Sequence, residues 1–177
     1  MALSQMIMRT ADFSACRKYR YTLWRNWSDG GRYVNFICLN PSTADETNDD
    51  PTMRKCIKFA KAWGYDAMCA TNIFAYRATD PKEMKRQAEP IGESNDYYIH
   101  NIAHNAALVV AAWSQHGTHL ERSKQVREIL TGLDVHMLKM GSKEPWHPLY
   151  LKDSTVPVPF STPETRKASA VSGHFRA

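Results

Sequence analysis

Two short motifs place a hydrogen-bonding side chain directly after an apolar run and directly before a proline. They are Leu39-Asn40-Pro41-Ser42-Thr43 and His147-Pro148-Leu149-Tyr150-Leu151. Proline cannot donate to a strand ladder and pushes the preceding residue to extended geometry, so a strand must stop at each motif. Asn40 and His147 are therefore predicted at strand ends, and Asn72 interrupts the apolar run 68–74 in the same way. Because open α/β sheets bind ligands beyond their strand ends, these three side chains define a candidate site.

Each polar side chain of the candidate site has a structural and a functional interpretation. Asn40 either forms a turn through its own side chain or orients a water molecule or a base edge. A buried amide left unpaired costs about 1–3 kcal/mol, so Asn72 is either tied to backbone or held for a planar amide such as uracil. His147, whose ordinary pKa is about 6.5, acts as a neutral donor or as a general acid. Ser42 and Thr43 either bind phosphate or cap the turn.

The composition favours a single cytoplasmic domain. The chain has 177 residues and a net charge of +5, with no apolar run long enough to span a membrane and no leader-like segment. Residues 1–160 are expected to form one α/β domain and residues 161–177 a polar, mobile tail. The cysteines lack metal-ligand spacing, which favours buried free thiols over a disulfide or an iron–sulfur cluster.

Basic residues are concentrated in three places, which indicates either a nucleic-acid footprint or a solvated face. They are Arg17, Lys18, Arg20, Arg25, Lys82, Lys85, Arg86, Arg166, Lys167 and Arg176. The acidic stretch 45–50 could hold Mg²⁺ or supply a base, although its commoner use is helix capping. His100 and His104 lie one helical turn apart without the glutamate of a zinc-protease motif. We therefore expect no metal and no cofactor.

The order of the predicted elements indicates an α/β fold. A β-hairpin is predicted around Asp29-Gly30, which lies between two apolar-aromatic runs. The predicted hairpin pairs 19–27 with 32–39, and further strands are predicted at 67–74, 108–113 and 135–140. Two helices are predicted to start at Pro51 and at Pro81, and two more to cover about 95–105 and 117–130. Strands that alternate with helices predict a three-layer α/β/α arrangement, with a short, mostly parallel sheet and an N-terminal β-hairpin.

Several uncommon strings resemble, in the same order, a bacterial and phage family known as domain of unknown function 1643. They are Arg20-Tyr21, Trp24, Leu39-Asn40-Pro41-Ser42-Thr43-Ala44-Asp45, Asp50-Pro51-Thr52, Thr71-Asn72-Ile73-Phe74-Ala75-Tyr76-Arg77-Ala78-Thr79-Asp80-Pro81 and His147-Pro148-Leu149-Tyr150-Leu151. The resemblance covers 17–152. It implies no activity, because the family is uncharacterised.

The same motifs are similar, more distantly, to the uracil-DNA glycosylase superfamily, which implies a uracil-DNA-glycosylase-like fold with a short parallel sheet flanked by helices. Leu39-Asn40-Pro41 resembles the motif whose Asn-Pro pair positions the hydrolytic water. Thr71-Asn72 with Arg77-Ala78-Thr79 resembles a segment of the mismatch-type members. His147-Pro148 with Leu151 resembles the motif whose histidine stabilises the departing base and whose leucine wedges into the duplex.

This resemblance implies N-glycosidic cleavage of a uracil-like, mismatched or 5-modified base in DNA. The implied catalytic residues are Asn40 and His147, the base-binding residues Asn72, Ser42 and Phe74, and the DNA-binding residues Thr43, Arg77, Tyr150 and Leu151. Two positions depart from the superfamily pattern. Leu149 replaces a serine that pinches phosphate, and Ser42 replaces a tyrosine that excludes thymine, so a substituent at the 5-position is expected to fit.

Two other functions are left open by the residues. The first is a non-catalytic module that binds a modified base or a free nucleotide, because no carboxylate stands at the water-activating position. The second is a metal-dependent enzyme that acts on a nucleotide-like small molecule, with the metal held by the acidic stretch 45–50. We expect DNA as the partner, with neither a membrane nor an obligate protein partner.

Overall fold

The computed structural model describes residues 8–160 of the 177. In chain order, this part contains β1 (Met8–Phe13), β2 (Arg20–Asn26), β3 (Tyr33–Cys38), α1 (Pro51–Ala62), β4 (Ala67–Asn72), α2 (Pro81–Lys85), α3 (Asn95–Asn105), β5 (Leu108–Ala111), α4 (Arg122–Ile129), β6 (Val135–Met137) and β7 (Val158–Pro159). The predicted tail 161–177 lies outside the described residues. Among the helices of residues 8–160, none has the length and apolar character needed to cross a membrane.

The strands form one mixed sheet in the order β1-β2-β4-β3-β5-β6-β7. The central strands β4, β3, β5 and β6 are parallel, whereas β1, β2 and β7 join the two edges antiparallel. The predicted α/β class is confirmed, but the sheet is parallel only at its centre. It is therefore mixed and not mostly parallel.

The predicted hairpin of 19–27 with 32–39 is wrong, because β4 lies between its two strands. The loop around Gly30 does not make a tight turn. It wraps around the Asp66 carboxylate at the start of β4, which accepts hydrogen bonds from Ser28 Oγ at 3.0 Å and from the Arg32 amide at 3.1 Å. Strand β3 is buried along most of its length, so it takes parallel neighbours on both sides. An N-terminal hairpin does exist, but it joins β1 to β2.

Strand β1 was not predicted, and its burial pattern explains why. Exposed and half-buried residues alternate along this edge strand, and Arg9, Thr10 and Asp12 supply no apolar run. Edge strands of this kind give a weak sequence signal because only one face touches the core.

Two apolar cores lie on opposite faces of the sheet, which gives the predicted three layers. On one face, α1 packs its buried Met53, Cys56 and Phe59 against the sheet. On the other face, α3 and α4 pack through Ile99 and Val126. Each layer therefore buries the apolar stripe of its helices on a sheet face that is itself apolar.

Side-chain caps explain the starts of α1 and α2, whereas α3 and α4 begin without one. The sequence allows either Asp49 or Asp50 as the cap of the helix that starts at Pro51. Asp50 Oδ1 accepts a hydrogen bond from the Met53 amide at 2.8 Å and is the residue that caps α1. The predicted helix 117–130 is instead divided into a 3-10 segment, Gln115–Glu121, and α4. Leu120 and Glu121 both have positive φ, at 53° and 52°, so an α-helix cannot continue through them.

Candidate functional site

A cavity of about 670 Å³ opens at the carboxyl edge of the parallel strands. Among the parallel strands, β3 comes first along the chain, with β4 paired on one side of it and β5 on the other side. The connection that leaves the carboxyl end of β3 runs to β4 on one side, and the connection that leaves β5 runs to β6 on the other side. A crevice forms between the two connections. The cavity is lined by residues from 38–43, 50–53, 72, 78–81, 114–116 and 145–150, and by Arg20.

Asn40 lines the cavity two residues after β3, but its amide nitrogen is already used. Its Nδ2 donates to the carbonyl of Ala78 at 2.7 Å and to that of Pro41 at 3.1 Å, which ties two loops together. Its Oδ1 accepts no hydrogen bond from residues 8–160. The side chain therefore acts as a structural clamp through its nitrogen and keeps its oxygen as an acceptor.

Asn72 is the last residue of β4, so the strand ends two residues before the predicted 67–74. The residue is 1% exposed and lines the cavity. Its backbone carbonyl accepts a hydrogen bond from Asn95 Nδ2 at 2.8 Å, so the strand end is held firmly. Its own Nδ2 is buried and finds no partner within the described chain. A buried donor left unpaired is costly, so at a cavity wall it favours an acceptor supplied by a ligand or a bound water.

His147 also lines the cavity, but not from a strand end, and that expectation is wrong. Strand β6 ends at Met137, and His147 instead precedes the 3-10 turn Pro148–Tyr150. Its Nδ1 accepts a hydrogen bond from the Leu149 amide at 3.3 Å. Burial lowers the pKa of His147, although the nearby carboxylate of Asp50 acts in the opposite direction. The ring is thus neutral, with its proton on Nε2 and available for donation.

The structure brings three more of the predicted residues to the cavity. Ser42 lies on its wall, 3.5 Å from the hydroxyl of Thr79, and Thr43 is exposed beside it. Tyr150 stands at the mouth with 79% of its surface exposed. Small hydroxyls on the wall and an exposed aromatic ring at the rim fit a planar ligand entering from solvent.

Three predicted residues do not reach the cavity wall. Phe74 is fully buried in the core beneath α3 and α4. Arg77 donates to the carbonyl of Arg17 and lies over the ring of Phe13 at 4.9 Å. Leu151 packs against the core on the α1 face. Their predicted contacts with base or DNA would need surfaces other than this cavity.

The basic residues near the N-terminal strand are divided between core and surface. Arg20 and Arg25 are buried, so they do not belong to a solvated face or to an exposed nucleic-acid footprint. Arg25 is fully engaged: its Nε donates to Asp49 at 2.8 Å, and its other nitrogens bond to backbone carbonyls. Arg20 lines the cavity, and sequence reasoning missed this position.

Ser114, Gln115 and His116 also line the cavity without having been predicted. They follow β5, at the same sheet edge as Asn40 and Asn72. The rule that located those two asparagines applies equally to the end of β5 and could have found these residues. Burial, together with the Lys85 ammonium, lowers the pKa of His116.

The acidic stretch 45–50 is committed to local structure. The Asp45 carboxylate accepts the amides of Thr47 and Asn48, which holds its pKa well below its usual range. Asp49 pairs with Arg25, while Asp50 caps α1 and also faces the cavity. Within residues 8–160, no group of three or more His, Cys, Asp or Glu side chains is arranged to hold a metal ion.

The cysteines are free, as expected, and three of the four are buried. Cys38, Cys56 and Cys69 lie inside the domain, and burial raises the pKa of Cys56 and Cys69 well above the ordinary thiol value. Cys16 is exposed on the loop between β1 and β2, which departs from the prediction. Hydrogen bonding from the Ser14 hydroxyl lowers its pKa.

A family model described as a protein of unknown function (DUF1643) matches residues 20–149, which is well over half of the chain. The chain belongs to the DUF1643 family. No curated protein matches it, and no solved structure matches it. The DUF1643 region contains Arg20, Asn40, Asn72 and His147, so it includes the polar side chains of the cavity. Tyr150 lies directly beyond its end.

Proposed function

We propose that this protein is a uracil-DNA-glycosylase-like enzyme that cleaves the N-glycosidic bond of a base in DNA. The observation that carries the proposal is the pair of donors at one cavity. Asn72 Nδ2 is buried without a partner, and His147 presents a protonated Nε2. Two fixed donors in a partly apolar cavity match the carbonyl oxygens of a pyrimidine base.

The surroundings of these donors support a ligand of this class. A volume of about 670 Å³ lies within the usual range of small-molecule pockets. The cavity lies at the topological switch point of a parallel α/β core, where such sheets bind nucleotides. A base can enter only after leaving the DNA stack, and we expect the exposed ring of Tyr150, which lines the cavity, to fill the vacated space.

The proposed step breaks the bond between the sugar C1′ and the base nitrogen. The electron pair leaves with the base, whose developing oxyanion accepts the Nε2 proton of His147 in a hydrogen bond. Asn40 Oδ1 orients a water molecule, whose oxygen forms the new bond to C1′. The water's proton leaves to solvent, because the carboxamide of Asn40 carries no basic group.

The wall of the cavity supports tolerance of substituents at the 5-position of a pyrimidine. Ser42 is small and half-buried, and its hydroxyl lies at the far limit of hydrogen-bond distance from Thr79. Nothing bulky therefore stands at this position to exclude a methyl or hydroxymethyl group. The expected consequence is weak discrimination between uracil and thymine, below the roughly 10- to 200-fold that a pocket shaped around one methyl group can supply.

The test is incubation of the purified protein with labelled oligonucleotides that carry uracil, a thymine mismatch, 5-hydroxymethyluracil or hypoxanthine. Alkali then converts abasic sites to strand breaks. His147→Gln should slow cleavage by roughly 10²- to 10³-fold, as expected for loss of an oxyanion donor. Asn72→Ala should also slow it. Absence of breaks on every substrate, with folded wild-type protein, would refute the proposal.

Asn35 provides a matched control for Asn72. It is also a buried strand asparagine, but its Nδ2 donates to the Cys69 carbonyl and the Thr71 hydroxyl, away from the cavity. Asn35→Ala should lower the thermal midpoint and leave the turnover of folded protein unchanged. If Asn35→Ala and Asn72→Ala reduce turnover equally, the losses reflect stability and not base recognition.

A second candidate function is a binding module that holds a base without cleaving it. It is favoured by the two hydrogen bonds that commit Asn40 Nδ2 to loop structure, because they explain this residue without catalysis. Saturable binding of a modified oligonucleotide, with no abasic product, would select this function. Asn40→Ala would then lower stability and weaken binding modestly, whereas under the enzyme proposal it abolishes turnover.

A further inference from the structure

Arg20 is a buried cation that faces the cavity without an ion-pair partner. The side chain is 1% exposed and lines the cavity. One terminal nitrogen donates to the Ala44 carbonyl at 2.8 Å, and the buried Nε has no partner in the described chain. Burial lowers the pKa of Arg20 to about 10, with the Asp50 carboxylate opposing that shift. The guanidinium remains charged at neutral pH.

The topology explains how Arg20 comes to lie at the cavity. Strand β2 runs antiparallel to β4, so the first residue of β2 lies beside the carboxyl end of β4. The Arg20 amide donates to the Ala75 carbonyl at 3.0 Å, which fixes the backbone at this edge. A residue from outside the parallel core is thereby placed among the strand ends that form the site.

The other fully buried arginines of residues 8–160 have carboxylate partners. Arg25 pairs with Asp49, and Arg122 pairs with Asp96 while its Nε donates to the Ile73 carbonyl at 2.7 Å. Arg20 makes no such pair. The Asp50 carboxylate stabilises the charge of Arg20 from beyond ion-pair distance, so no counter-ion contacts the guanidinium directly. Because a buried charge without a contacting counter-ion is unfavourable, its retention at a cavity wall favours a ligand that supplies one.

We propose that Arg20 forms an anion subsite of this cavity and binds a carboxylate or phosphate group carried by the ligand. A guanidinium presents planar donors that match the paired oxygens of either group, and the low local dielectric strengthens the contact. The subsite goes beyond the proposed glycosidic cleavage and does not depend on it, since binding an anion requires no bond to break. The anion is either the phosphate of a nucleotide or an acidic substituent on the base itself.

Calorimetric titration with paired probes tests the subsite and distinguishes its two sources. Deoxyuridine 5′-monophosphate is compared with deoxyuridine, and 5-carboxyuracil with uracil. Wild-type protein should bind the anionic member of one pair at least tenfold more tightly, the minimum expected of one charge-assisted contact. Preference within the first pair identifies phosphate as the anion, and preference within the second identifies a base-borne carboxylate.

Arg20→Met keeps the length of the side chain and removes its charge, so the preference for the anion should disappear. Arg54→Met, which removes an exposed cation next to the cavity-lining Met53, is the matched control and should keep the preference. Equal binding of charged and neutral probes by wild type would overturn the proposal. Persistence of the preference in Arg20→Met, or its equal loss in both variants, would overturn it as well.

A measurement on the wild-type protein covers the case in which Arg20→Met does not fold. The Nε–H resonance of Arg20 should shift on addition of the preferred anionic probe, while that of Arg25, which is held by Asp49, should stay in place. An unshifted Arg20 resonance at saturating probe would refute the subsite. Cleavage activity has no part in either readout, so failure of the glycosylase proposal and failure of the subsite give different results.

Discussion

Glu144 is the buried anchor of the loop that carries His147, and its removal should be severely destabilising. The side chain is 3% exposed and accepts three hydrogen bonds. The donors are Trp113 Nε1 at 2.8 Å, Ser123 Oγ at 2.7 Å and the Arg127 guanidinium at 2.7 Å. One carboxylate therefore joins the end of β5 and helix α4 to the segment that leads into the site.

The expected magnitude follows from the donors that Glu144→Ala would leave behind. Trp113 and Ser123 are buried, and each unsatisfied donor costs about 1–3 kcal/mol. Adding the broken pair with Arg127, we expect the free energy of unfolding to fall by about 3–5 kcal/mol. For a domain of this size the thermal midpoint should drop by about 6–20 °C.

Glu144→Gln separates hydrogen-bond geometry from charge. The oxygen of the new amide can keep the Trp113 and Arg127 contacts, because both use Oε2, and the NH₂ group can donate to the rotatable hydroxyl of Ser123. We therefore expect a loss of only about 1 kcal/mol.

Urea denaturation followed by tryptophan fluorescence measures the loss in both variants. If Glu144→Ala lowers the free energy of unfolding by less than about 1 kcal/mol, the network does not hold the loop. If Glu144→Gln is as destabilising as Glu144→Ala, charge and not geometry is decisive.

Three further predictions concern Arg25, His147 and Gly117. Arg25→Met should lower the free energy of unfolding, measured by urea denaturation, by about 3–5 kcal/mol, because Asp49 loses its buried partner. A loss below about 1 kcal/mol, which is typical of a surface ion pair, would contradict a buried, stabilising Arg25–Asp49 pair. Burial lowers the folded-state pKa of His147, so below about pH 6.5 the unfolded chain binds the additional proton and stability falls. Unfolding at pH about 7.5 and 5.5 should show this loss in wild type and a smaller one in His147→Gln, and equal losses would refute it. Gly117→Ala would push a methyl group into the Trp113 ring and should lower stability by about 1–3 kcal/mol, measured as a thermal midpoint; an unchanged midpoint would show that the ring can move aside.

Several secondary-structure elements could be predicted from interactions between residues that are close in the sequence. Asp50-Pro51 and Asp80-Pro81 marked the starts of α1 and α2, because a capping carboxylate and a first-turn proline act within a few residues. The apolar runs correctly indicated β4 and β5, whose faces are buried on both sides. Asn40 and Asn72 could be recognised for the same reason, because the end of a buried strand is marked by residues that are close in the sequence.

Pairing between distant segments was decided by the tertiary structure. The Asp29-Gly30 turn favoured a hairpin, but burial of β3 between two parallel neighbours placed β4 where the hairpin partner was expected. His147 reached the cavity through a loop anchored by Glu144 and not through a strand end, a contact between segments that no local pattern encodes.

The α/β class, most helix starts and the polar residues at two strand ends could be predicted from the amino-acid sequence, because short-range sterics and hydrogen bonds act between neighbours along the chain. The mixed strand order and the burial of Arg20 depend instead on contacts between distant segments. An arginine followed by aromatic residues has the same sequence pattern on a solvated edge or in a core. Its environment depends on which strand pairs with β2, and that choice is made by the free energy of burying the whole sheet.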